Sequence, residues 1–335
     1  MLSVSGDCGI VNQIELLGRS FAGKSVADYH VVRTDDIVYT KSPLKEYPYG
    51  IVKYNNGQDG IVSTLYAVYH HKDNVDGQFV EYYFTNPQRT NRYFKPIVRI
   101  GAKHDMKIGN EEVLDSFVVF PGLEEQRKIT EMLSLLDLRI AIQNKVIEKY
   151  ESLIKALRHH LFSTLESVKE VPVADLLSYE QPTKYIVSDT EYSNNTDLTP
   201  VLTANKAFIL GYTDEVEGIY DKGPCIILDD FTLDFKIVEF PFKVKSSAIK
   251  ILSAKTTVSL RYIFEYLKFL DLNTEEHKRH YIAEIEPMSI ELPEEDTIKS
   301  IAFLFDLMDK RRKGLERDQQ LLKSQKDYLL REIFI

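Results

Sequence analysis

PGLEEQRKITEMLSLLDLRIAIQNKVIEKYESLIKALRHHLF, Pro121 to Phe162, recurs in altered form later in the chain. Moved by 172 positions it falls without a gap on Pro293 to Phe334, PEEDTIKSIAFLFDLMDKRRKGLERDQQLLKSQKDYLLREIF. Pro121 meets Pro293, Ile129 meets Ile301, Asp137 meets Asp309, Leu157 meets Leu329 and Phe162 meets Phe334. Apolar residues of the first copy stand at Ile129, Leu133, Leu136, Ile140, Ile147, Tyr150, Ile154, Leu157 and Leu161, a 4-3 alternation broken at Gln143. The second copy keeps it at Ile301, Phe305, Met308, Leu315, Leu322, Leu329 and Ile333, with Arg312, Gln319 and Lys326 as polar interruptions. A sustained 3.5-residue repeat flanked by charge is the pattern of a coiled-coil seam. At about 1.5 Å per residue, each copy reaches roughly 60 Å as a helix. Neither seam can stay in water alone, and the simplest partner for each is the other. Antiparallel pairing about a point near mid-helix brings Gln143 and Gln319 together. Polar seam residues of this kind can fix register, and they also suit ordinary tolerated polar positions.

The composition is that of a soluble globular protein: 335 residues, 44% hydrophobic and 28% charged. No apolar run reaches the roughly 18 residues that cross a bilayer. Met1 is followed by neither a basic nor an apolar leader, so no secretory signal and no membrane partner are expected. Cys8 and Cys225 are too few for a disulfide framework, which makes a reduced, cytoplasmic protein the expectation. With 42 basic and 51 acidic residues the formal charge is −9. That argues against coating nucleic acid by bulk electrostatics, while leaving room for local basic faces.

The repeat divides the chain into residues 1–120, a globular domain; 121–166, a long helix; 167–292, a second globular domain; and 293–335, a second long helix. In the first domain VVRTDDIVYT and YPYGIVKYNNGQDGIVSTLYAVYH read as strands about an Asn-Asn-Gly turn. GQFVEYYFTN reads as a short helix and VLDSFVVFP as a final strand. In the second, DLTPVLTANKAFILGY, GPCIILDDF, FKIVEFPFKVKSSAIKIL and MSIELP read as strands and LRYIFEYLKFLDLN as a helix. VSTLYAVY answers KSSAIKIL, FVEYYFTN answers YIFEYLKFL, and SFVVFPGLEEQ answers SIELPEEDT. The fold class expected is therefore α+β, an internal tandem duplication with two domains separated by two long helices in an antiparallel coiled coil. Val171 to Pro200 has no counterpart in the first domain, which reads as N-terminally shortened.

This order of parts resembles the specificity subunit of type I restriction-modification systems. The likeness is carried by FPGLEEQRKITEMLSLLDLRI with its continuation to LRHHLF, by LGYTDEVEGIYDKGPCIILDDFT, and by FPFKVKSSAIKIL, in sequence over nearly the whole chain. The resemblance implies two target-recognition domains, each reading half of a split sequence in double-stranded DNA, and long helices that set the distance between the halves. It also implies docking of two methyltransferase subunits and two motor-nuclease subunits. The chain itself would be non-catalytic and hold no cofactor. S-adenosylmethionine, ATP and Mg would belong to the partners.

Base reading needs side chains that reach groove edges, and register needs cations on phosphates. In the first domain TNPQRTNRYFKPIVRIGAKHDM supplies Arg89, Arg92, Lys95, Arg99, Lys103 and His104. In the second, HKRHYIAEIEPM holds the matching place with Lys278, Arg279 and His280. Asn205 and Lys206, Thr232 and Lys236, and Lys245, Ser246 and Ser247 complete the candidates for DNA contact. Each of these residue types also suits a solvated surface.

Two other readings fit parts of the sequence. Asp229 and Asp230, with Asp234 and Lys236 following, loosely match a metal-dependent nuclease. A coiled-coil interaction scaffold without a DNA role is the second. His277 and His280 lie three apart but lack a carboxylate or Cys at a telling spacing, and His159 and His160 face different ways, so no metal site is expected. Asp137 and Asp309, just past seam residues, read as helix-surface charges or as part of a docking face. No phosphate loop, dinucleotide fingerprint or nucleophile elbow occurs.

Overall fold

The structure, a computed structural model, describes residues 1–23, 25–100, 106–203, 208–272 and 280–334. It divides into two compact units: residues 1–144 with 317–335, and residues 145–316. Each unit contains one globular domain and one half of each of two long helices.

In the first unit the strands are β1 (Leu2–Ser5), β2 (Gly9–Asn12), β3 (His30–Val32), β4 (Ile37–Thr40), β5 (Val52–Tyr54), β6 (Gly60–Val62), β7 (Tyr66–Tyr69), β8 (Arg99–Ile100) and β9 (Met106–Lys107). The helices are α1 (Gln13–Leu17), α2 (Gly77–Phe84), α3 (Pro87–Phe94) and the start of α4 (Leu123–Ser163). β5, β4 and β7 form an antiparallel sheet in that order, and β3 pairs with β6. The Asn-Asn-Gly signal thus marks a turn between strands of two different sheets. Tyr39 of β4 stacks on Phe94 of α3, with centroids 4.4 Å apart and planes 7° from parallel. This fixes α3 over the sheet. α3 lies in the basic stretch TNPQRTNRYFKPIVRIGAKHDM, which supplies the first domain's candidate cations. Asn86 caps it and Pro87 opens it, a start signal that local reading can recognise.

The second unit contains β10 (Lys169–Pro172), α5 (Val173–Leu176), β11 (Leu177–Glu180), β12 (Thr199–Leu202), β13 (Ile209–Thr213), β14 (Cys225–Asp229), β15 (Phe235–Val238), β16 (Lys243–Val244), β17 (Ile249–Ala254), α6 (Leu260–Phe269) and β18 (Ser289–Leu292). The start of α7 (Glu295–Glu332) belongs to it as well. Its main sheet runs β11-β17-β14-β15, and β13-β12-β16 form a second. Every residue of β14 is buried. Ile226 and Leu228 face one apolar cluster, Cys225 and Ile227 the other, which is why this strand reads as a continuous apolar run.

The seam pairs antiparallel in each unit. In the first, Ile129 and Leu133, early in α4, share a cluster with Leu329, Leu330, Ile333 and Phe334, late in α7. In the second, Tyr150, Ile154, Leu157 and Leu161, late in α4, pack with Ile301, Phe305 and Met308, early in α7. Leu136, Leu315 and Leu322 are buried, and Ile140 and Ile147 half-buried. The polar interruptions are all occupied. Lys326 pairs with Asp137 across the helices, and Arg312 pairs with Asp309 and Glu316 on its own helix.

The VLDSFVVFP stretch departs from its expected strand. It forms a short 3-10 turn, Glu112–Leu114, followed by irregular chain, with Phe117 97% and Val119 92% exposed. In the second unit the matching β18 pairs with β10, and β11 borders β17. Among the described residues, the first unit presents no counterpart of β10 or β11, so residues 116–120 have no strand to join and β7 keeps an open edge. A strand pattern without a partner does not make a strand, because its backbone bonds then go to water.

Candidate nucleic-acid interface

The globular part of each unit is bolted to the long helices by polar contacts. Gln126, buried to 2% exposure, accepts from the Asp76 amide at 2.9 Å and donates to the carbonyls of Asn74 and Pro121. Asp76 caps α2 and accepts from Thr130 of α4 at 3.0 Å. Tyr82 of α2 donates to Asp137 at 2.9 Å. In the second unit Arg261 of α6 donates to Asp306 at 2.6 Å and lies 3.7 Å from Asp309, while Arg158 of α4 bonds Glu265 at 2.7 Å. Asp137 and Asp309, equivalent in the repeat, therefore both anchor the helix that follows the sheet. Burial raises the Glu265 carboxyl above the ordinary range, against the pull of Arg158 and Arg261.

Four chain segments of the second unit converge at one end of its sheets. β12 and β16 are parallel, so their C-terminal ends lie side by side. The Lys245 amide donates to Leu202 at 2.9 Å, and the Thr203 amide to Phe208 at 3.0 Å, closing the ends of residues 204–207. The Asp230 amide donates to Ala248 at 3.0 Å, which sets the Asp229–Asp234 turn beside Ser246 and Ser247. The His280 amide donates to Asp230 at 3.2 Å. Lys236 sits over the Phe208 ring at 5.8 Å. Thr232, Lys245, Ser246 and Ser247 are exposed on this end and Lys236 half-exposed. Candidates from Thr232 to Ser247, on a turn, a strand and a loop, thus share one surface. Asn205, Lys206, Lys278 and Arg279 lie outside the described residues.

His280 does not share that surface. It is 1% exposed, with Nδ1 bonded to Glu284 at 2.8 Å and its amide on the Asp230 carboxylate at 3.1 Å. Asp230 is also buried and pairs with Lys250 at 3.3 Å. Its role is to hold the chain at His280 and Tyr281 against the sheet. The other acids of the nuclease-like pattern are engaged separately: Asp229 accepts from the amides of Phe231 and Thr232, and Asp234 pairs with Lys236 at 3.0 Å and Lys268 at 2.8 Å. Among the described residues no three His, Cys, Asp or Glu groups are placed to hold a metal ion.

In the first unit Arg92 and Lys95 on α3 and Arg99 on β8 are exposed. β8 and β9 pair through Ile100 and Met106, joining the ends of the 101–105 segment. Lys103 and His104 lie outside the described residues. Arg89 is engaged by the fold: it donates to the carbonyls of Tyr83 and Leu330 and lies over the rings of Tyr83 and Phe334. Sequence reading missed Asn86, Gln88 and Arg331, which line a cavity with Arg89 and Arg92. Nothing local could have joined residues 86–92 to the far end of α7.

No protein-family model matches the chain. The specificity subunit of the type I restriction enzyme EcoR124I/EcoR124II from Escherichia coli is 43% identical over 132 residues. That match spans 38% of this chain and 32% of the relative, about a third of its length. The crystal structure of a type I restriction-modification S subunit from M. genitalium superposes with a TM-score of 0.61, covering 91% of this chain and 84% of that one, at 14% identity. This is the fold of a type I specificity subunit. A second solved chain, from work on complex assembly and conformational transition of the type I R-M system, aligns at TM-score 0.52 over 93% of this chain and 84% of that chain, again at 14% identity. The family named by the relative and by both structures is the one the sequence resembles. No helix among the described residues is long and apolar enough to cross a membrane.

Proposed function

We infer that this chain is the DNA-reading, non-catalytic subunit of a type I restriction-modification complex, working in the cytoplasm. The observation that carries this is the gathering of Thr232 from the Asp229–Asp234 turn, Lys236 from β15, and Lys245, Ser246 and Ser247 from the β16–β17 connection at one end of the second unit's sheets. Among the described residues that surface is polar and hydrogen-bonding and rests on the sheets. Such surfaces read base edges. The first unit offers a different set, with Lys95 and Arg99 beside the register-setting Arg92, so the two half-sites differ in sequence. Spacer length follows the number of helical turns in α4 and α7.

The partners are two methyltransferase subunits and two motor-nuclease subunits, which bring S-adenosylmethionine, ATP and Mg. Support comes from a second apolar stripe on the long helices. Leu135, Leu138 and Ile142 on α4 stand outside the seam and remain exposed, as do Leu321 and Tyr328 on α7. Apolar rows left in water on a charged helix mark a protein contact.

Mapping methylated adenines in cells with and without the gene tests the reading. A bipartite motif should vanish with the gene. An unchanged methylation map would refute it. Insertion of two helical turns after Gln143, with the matching insertion in α7, should lengthen the spacer while leaving both half-sites intact.

A further inference from the structure

Arg89, Arg92 and Arg331 line one cavity of the first unit, about 420 Å³ in volume, together with Asn86, Gln88 and Phe334. Among the described residues no carboxylate contributes to its wall. Among the described residues none of the three guanidiniums forms an ion pair, in a chain whose acids outnumber its bases by 51 to 42. Three arginines of the second unit behave otherwise: Arg158, Arg261 and Arg312 are each matched with carboxylates. Arg89 is half-buried and meets only carbonyls and ring faces. The first amides of α3 are already taken by the Asn86 side chain, so the positive character comes from the side chains. Arg331 donates Nε to its own helix at the Asp327 carbonyl, at 3.2 Å, which leaves its terminal nitrogens for another acceptor. Three like charges gathered around a hollow repel one another, and an oxyanion among them removes that cost.

We propose that this hollow is a binding site for a phosphoryl oxyanion, gripped by Arg92 and Arg331 and seated by Arg89. Resting on the DNA-reading role inferred above, the phosphoryl group is a phosphodiester of the DNA backbone. Arg89 acts as a positioning residue: it ties the last turn of α7 to α3 and so sets Arg331 opposite Arg92. A backbone phosphate held there fixes the register of the first recognition domain without reading a base.

The test uses the double substitution Arg92→Gln with Arg331→Gln; both residues are exposed, and Arg89 is left in place. The full-length chain with its modification subunits is titrated by fluorescence anisotropy with a duplex carrying its mapped target and with a scrambled duplex, over a range of salt. Loss of the grip on one phosphate should lower the slope of log K against log salt by about 0.9 and weaken both duplexes alike. An unchanged slope overturns the assignment to DNA and leaves the DNA-reading role intact. In a second arm, inorganic phosphate is titrated into the full-length chain alone and followed by 31P line broadening. Broadening lost in the double variant supports the pocket even if no duplex binds, an outcome that would sink the DNA-reading role by itself. Equal broadening in both proteins, or none in the wild type, overturns the pocket.

Discussion

Gln319 on α7 donates its side-chain amide to the side chain of Asn144 on α4. The seam pattern points to Gln143, one residue earlier, as the partner. Only antiparallel helices in a single register bring these two positions together. Substituting either residue by Ala should cost on the order of 1 kcal/mol, with a coupling of about 0.5–1.5 kcal/mol in a double-mutant cycle measured by urea unfolding. Leu at both positions should keep or raise stability while relaxing the register. Purely additive single effects would show that the pair contributes no specific link.

Phe334 and Phe162 occupy the same place in the repeat and do the same work. Phe334 meets Phe79 at 5.1 Å and Tyr83 at 5.9 Å; Phe162 meets Tyr262 at 5.4 Å and Tyr266 at 5.3 Å. Each seats one end of a long helix on its own domain. Phe→Ala at either site should cost about 3–5 kcal/mol. Hydrogen exchange should quicken in α2 for Phe334→Ala and in α6 for Phe162→Ala, and not the reverse.

Asp234 makes one edge of the second unit pH-sensitive. Burial pushes its carboxyl up, but Lys268 and Lys236 outweigh burial and hold it below the ordinary range. A depressed folded value means that the unfolded chain binds the proton more readily. The stabilisation is therefore present above about pH 4 and is lost as pH falls through the folded value. Between pH 6 and pH 3 the wild type should lose more stability than Asp234→Asn, as read by denaturant unfolding at each pH. Parallel pH curves would rule out this contribution.

The two cysteines should differ sharply in reactivity. Cys8 is exposed, whereas Cys225 lies within β14 and burial pushes its thiol up to about 12. At pH 8 iodoacetamide should modify Cys8 within minutes and Cys225 only after unfolding. Peptide mass mapping with and without denaturant reads this directly.

Phe117 and Val119 stand where the second unit has Ser289 and Glu291. The substitutions Phe117→Ser with Val119→Glu should leave unfolding stability within about 0.5 kcal/mol. They should also reduce concentration-dependent self-association, because large apolar side chains left in water associate with other chains. Light scattering that does not change would show that these two side chains drive no association.

The candidate interface was legible only in part. Residue type marked Thr232, Lys236, Lys245, Ser246 and Ser247 as candidates, although the same types suit any solvated surface, and only the fold gathers them at one end of the sheets. Type could not distinguish His280, which is buried, from Lys245, which is exposed. It also could not show Arg89 turning inward to a carbonyl of α7, because that bond joins positions 241 residues apart.

The sequence by itself determined the duplication, the two long helices and their antiparallel seam. Those rest on a 3.5-residue period and on the need to remove apolar rows from water, both written locally. Tertiary structure alone decided which strand-like stretch became a strand. SIEL found β10 beside it and paired; FVVF found no neighbour and stayed irregular. A helix bonds within itself, so its sequence is sufficient; a strand depends on an edge that another part of the chain must supply.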